Sequence, residues 1–85
     1  MKKRNRIRVL GQWIDLIHVD LTDEGVHGDC DVESRTIRIH IGLEGPRYTR
    51  VLRHELFHMK VGLAGLTELM SPELEEALAV LAETD

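Results

Sequence analysis

At 85 residues the chain has room for one hydrophobic core and no second domain. With 42% hydrophobic and 31% charged residues it has the composition of a folded globular protein, and its single cysteine, Cys30, excludes an internal disulfide. The net charge of −4 is unevenly spread: Lys2, Lys3, Arg4, Arg6 and Arg8 crowd the start, while Glu68, Glu73, Glu75, Glu76, Glu83 and Asp85 crowd the end.

Residues 1–6 read as a basic, frayed arm, and solvated charge accounts for so short a run better than nucleic-acid contact does. Arg8, Gln12 and Asp15 interrupt the apolar run that a secretion signal needs, and nothing else approaches membrane-spanning length. A soluble, cytoplasmic protein is therefore expected. From Ile7 to Asp20 the sequence suits one bulged strand, or two short strands about Gly11. "LTDEGVHGDCD" reads as a turn or loop, and "RTIRIHIG" then alternates strictly, with Ile37, Ile39 and Ile41 on one side and Arg38 and His40 on the other. That is a half-buried strand.

Pro46 after Gly45 opens a helix expected to run to Val61 and to end near Gly62. "GLAGLTELM" is a loop or short helical turn. Ser71 then serves as N-cap for a second helix, with Pro72 at its first position and Glu73 and Glu75 facing the helix dipole. Leu74, Ala77, Leu78 and Leu81 form its expected apolar stripe. Strands followed by helices make the fold class α+β, a three- or four-stranded sheet packed on the first helix with a C-terminal helix beside it.

The first helix carries "HELFH". Residues four apart on a helix project from one face with Cβ atoms about 5–6 Å apart, so His54 and His58 can reach a single ion. Glu55 falls at the edge of the buried side, where a carboxylate without a partner costs several kcal/mol. The pattern H-E-x-x-H on a helix is a zinc metallopeptidase motif: two imidazoles hold Zn²⁺, which makes a bound water more acidic, and the glutamate takes its proton as general base.

On "GDCD", "RTIRI" and "LRHELFHMKVGLAGL", followed by an acidic helix, the chain resembles the zincin metallopeptidases, specifically minimal gluzincin-like domains of bacteria and phages, over roughly residues 28–82. The resemblance implies a zinc ion, a sheet packed on the motif helix and a third ligand, a glutamate, from the next helix. Helical geometry leaves Glu73, Glu75 and Glu76 open for that role. "EALA" at 76–79 resembles the family's ligand glutamate followed by a small residue, and so points to Glu76.

Among other residues, Tyr48 sits about two and a half turns from His58 and is a poor oxyanion donor, while His40 could serve but reads first as a surface histidine. His27 and Cys30 form an H-x-x-C spacing without a second half, and the flanking Asp29 and Asp31 disfavour a thiolate at Cys30. Arg47, Arg50 and Arg53 read as a solvated helix face, and His18 as a strand residue with a local hydrogen bond. The expected function is zinc-dependent hydrolysis of a peptide or protein substrate, with His54, His58 and Glu76 on the metal and Glu55 as base; nucleic-acid and membrane partners are not expected. The alternative is a zinc-stabilised interaction module with little turnover.

Overall fold

A computed structural model describes residues 3–84; Met1, Lys2 and Asp85 lie outside them. Strands β1 (Lys3–Val9) and β2 (Gln12–Val19) form an antiparallel hairpin in which Ile7 faces Ile14 and Val9 faces Gln12. Leu10 and Gly11 both hold positive φ, 49° and 77°, which is the backbone twist a two-residue hairpin turn requires. The two-strand reading about Gly11 is thus the one realised. Residues 3–6 are paired strand rather than a frayed arm, because each has a β2 partner, Lys3 opposite His18 and Arg6 opposite Asp15. Arg6 and Arg8 lie over the exposed Trp13 ring, at 4.8 and 5.1 Å from its centroid.

After a short 3-10 turn at Thr22–Glu24 come β3 (Gly28–Asp31) and β4 (Thr36–His40), giving a four-stranded mixed sheet in the order β1-β2-β4-β3. β4 runs parallel to β2, and β3 pairs antiparallel with β4 as the edge strand. "GDCD" is therefore a strand and not a loop. Its glycine and acids hide it from any periodicity, yet Asp29 stands opposite Arg38, which it meets in an ion pair shared with Glu24.

One sheet face carries Val9, Ile14, Leu16, Ile37 and Ile39, and helix α1 (Gly45–Leu63) closes the core over it with Met59. Gly62 does not end this helix. A Cβ there would collide with the Val32 side chain, so the glycine lets the helix lie close to the β3–β4 turn. The stop comes at Gly65, whose positive φ supports the Gly65 N–H to Gly62 O and Leu66 N–H to Val61 O bonds of a Schellman ending. A second 3-10 turn, Thr67–Leu69, leads to α2 (Pro72–Ala82), where Ser71 accepts a hydrogen bond from Leu74 N at 3.1 Å, as a cap should.

Helix α2 packs on α1, but not with the expected stripe. Leu74 and Leu81 are 49% and 67% exposed, whereas Ala79 is fully buried and Glu75, Leu78, Ala82 and Glu83 are half-buried. Two glutamates on the inward face need partners, and α1 supplies them.

Candidate metal centre

The helical spacing of His54 and His58 stacks their rings edge to face, with centroids 4.9 Å apart and Nε2 atoms 3.2 Å apart. Glu76, from α2, brings Oε1 to 3.2 Å from His58 Nε2 and Oε2 to 3.3 Å from His54 Nε2. Each histidine also has its far nitrogen fixed. His54 Nδ1–H donates to Glu83 Oε2 at 2.8 Å, and His58 Nδ1–H donates to Glu75 Oε2 at 2.6 Å. Carboxylates on Nδ1 select the tautomer whose Nε2 lone pair is free to bind a metal.

Two imidazole nitrogens and the two oxygens of one carboxylate thus converge with no donor between them when both imidazoles are neutral. Such a cluster repels itself unless a cation or a proton enters it. The surroundings favour a proton on His54: burial pulls its pKa down, but the Glu83 hydrogen bond and the charges of Glu76 and Glu55 outweigh it and leave the pKa raised. A metal would serve instead. With one atom taken from each residue, the three donors lie within 4.8 Å of one another, close enough to share an ion, and two imidazoles with one carboxylate form a donor set suited to zinc. Three ligands leave one position open.

Of the three glutamates considered for the third ligand, Glu76 joins the two Nε2 atoms in the metal-sized group, Glu75 orients His58 from behind, and Glu73 is exposed. Glu83 had no place in the sequence reading. It lies seven residues beyond Glu76, two turns along the same face, and that spacing is the signal that could have found it.

Glu55 is the only charged side chain in the buried core among the described residues, 9% exposed, and no described residue donates a hydrogen bond to its carboxylate. Burial raises its pKa, against the lowering pull of His54 and His58. It borders a pocket of about 310 Å³ together with His54, His27, Gly28, Arg47 and Arg50. A Cβ on Gly28 would come within 2.9 Å of Val51 Cγ1 and 3.4 Å of Glu55 Cγ, so the glycine lets edge strand β3 approach the motif helix beside its glutamate.

The remaining residues separate cleanly. Tyr48 shares a 2.7 Å hydrogen bond with His18 Nε2 and stacks on its ring, so His18 is bonded across thirty positions rather than locally, with its buried Nδ1 left without a partner, and the Tyr48 hydroxyl is already engaged by the sheet. His40 Nδ1 accepts from Leu21 N at 3.0 Å on the sheet face opposite α1, which removes it as an oxyanion donor. His27 borders the pocket instead. Cys30 lies outside the metal-sized group, and burial, with the charges of Glu55 and Asp29, pushes its thiol up to about 12. Arg53 is exposed away from the pocket that Arg47 and Arg50 line. No helix among the described residues is long and apolar enough to cross a membrane. No protein-family model, curated protein or solved structure matches this chain.

Proposed function

We propose that the chain is a zinc-dependent peptidase of the zincin type, acting on a peptide or protein substrate in the cytoplasm. The observation that carries this reading is Glu55, a largely buried residue that lines the adjoining pocket, one residue from the first of two convergent histidines. A site that served only to staple two helices has no use for it. His54, His58 and Glu76 would hold the ion, which when bound polarises a carbonyl and makes water a better nucleophile. Glu83 and Glu75 keep the two imidazoles turned inward. Glu55 takes the proton of the attacking water and returns it to the departing amine nitrogen, and its raised pKa brings it closer to the range where it can do both. The His27 ring borders the pocket, where an N–H would meet developing negative charge on the carbonyl oxygen.

A second reading, a zinc-stabilised interaction module, draws on the exposed Leu69, Leu74, Val80 and Leu81 around α2. One experiment separates the two. Zinc-loaded protein is incubated with a mixed peptide pool, and products are read by mass spectrometry with and without chelator. The peptidase reading expects metal-dependent cleavage that Glu55→Gln lowers at least ~100-fold while zinc content stays the same. Zinc-loaded protein that leaves the whole pool intact selects the module.

A further inference from the structure

Resting on the peptidase reading, we propose that the pocket beside the candidate centre is a carboxylate-binding subsite, in which Arg47 and Arg50 select an acidic group on the substrate two to three residues from the scissile bond. The pocket reaches the centre at His54 and Glu55 and extends along α1 toward its N-terminus, past Arg50 to Arg47, with Val51 as its apolar wall. Positions 47, 50 and 54 are spaced three and four apart, so they share one stripe of the helix.

Both guanidinium groups are uncommitted. Neither meets a carboxylate within ion-pair distance among the described residues, whereas Arg38 is held by Glu24 and Asp29, and Arg8 donates to Gly11 O at 2.8 Å. The pocket's own acids form no ion pair with them among the described residues: Glu83 is hydrogen-bonded to His54, and Glu55 is buried. The positive end of the α1 dipole lies in the same direction.

The spacing sets the substrate's register. At 1.5 Å rise per residue Arg50 is about 6 Å and Arg47 about 10 Å from His54 along the axis. An extended peptide advances about 3.3 Å per residue, so an anion two or three residues from the reacting carbonyl falls between the two arginines. Guanidinium forks bind carboxylates in two-pronged fashion, and such a charged contact is worth about tenfold to a hundredfold in relative rate.

The test uses the zinc-loaded full chain and amidated peptide pools on one neutral scaffold that differ only in carrying Glu, Gln or Lys near the cleavage site. A further Gln pool has a free C-terminus. Cleavage of the Glu pool at least about tenfold faster than the Gln pool is expected, and equal stimulation by the free C-terminus would assign the subsite to a terminal carboxylate instead of a side chain. Arg47→Glu with Arg50→Glu should reverse the preference toward Lys at unchanged zinc content. Binding of an amidated Glu peptide to zinc-loaded Glu55→Gln should weaken steeply with salt and vanish in that reversed background. Equal cleavage of the Glu, Gln and Lys pools overturns the subsite and leaves the peptidase standing. No cleavage of any pool overturns both.

Discussion

Helix α1 makes two interfaces of opposite character. Toward the sheet it buries Met59 among Ile14, Ile37 and Ile39, all at 0% exposure, so this side is held by apolar area removed from water. Of the described residues of α2 the one buried is Ala79, and the contacts that organise the seam are His54 with Glu83, His58 with Glu75, and both histidines with Glu76. Partly exposed ion pairs contribute about 0–1 kcal/mol each. One side of the helix is thus held by apolar packing, and the other is organised by polar contacts between the helices. A metal bound at such a seam, as proposed, would be coupled to docking of the second helix.

The comparison can be broken most forcefully on the apolar side. Ile37→Ala should destabilise the protein by about 2–5 kcal/mol in urea unfolding, while the folded fraction keeps its zinc affinity, because the cavity opens away from the seam. On the polar side the expected pattern is the reverse. Glu83→Gln and Glu75→Gln should each weaken zinc binding about 10–100-fold in a chelator competition, with little change in unfolding of the metal-free protein. Loss of stability without loss of zinc affinity would make these glutamates ordinary helix-packing groups.

Two smaller effects follow from burial beneath the helix. The folded Glu55 carboxyl titrates above its usual 4.5, so between that value and its raised one the folded chain holds a proton that the unfolded chain releases. Stability of the metal-free protein must fall as pH rises through that window. Glu55→Gln, which cannot titrate, should be the more stable protein at neutral pH, as melting curves from pH 4 to 7 would report. Cys30 obeys the same sign at higher pH: its thiol ordinarily ionises near 9.0 and is held up to about 12, so stability declines as pH rises between those values. Iodoacetamide at pH 8 should label Cys30 much more slowly in native protein than in urea.

The apolar side of the molecule was legible because its pattern is local. Alternating Ile37 and Ile39 announce β4, Gly11 marks the hairpin, and Ser71 with Pro72 starts α2 where the structure has it. The histidine pair and Glu55 were legible for the same reason, being fixed by the turn of a single helix. What escaped depends on partners distant in sequence. β3 is a strand because β4 offers it an edge and Gly28 lets it close on Val51, facts that "GDCD" does not carry. The inward face of α2 was misjudged because hydrophobic periodicity chose Leu74 and Leu81, whereas the histidines of α1 draw Glu75 and Glu83 inward and leave the leucines in solvent. Polar residues buried by a partner read, in sequence, as surface.

The central claim is that the seam between α1 and α2 closes on one zinc ion held by His54, His58 and Glu76. Zinc stoichiometry with X-ray absorption at the metal edge, on the wild-type chain and on Glu76→Ala, tests it most directly. The account predicts one tightly held zinc per chain with two imidazoles and carboxylate oxygen around it, and a large loss of affinity in the variant. Wild-type protein that takes up no zinc, or a Glu76→Ala variant that binds it as tightly through the same ligands, would contradict it.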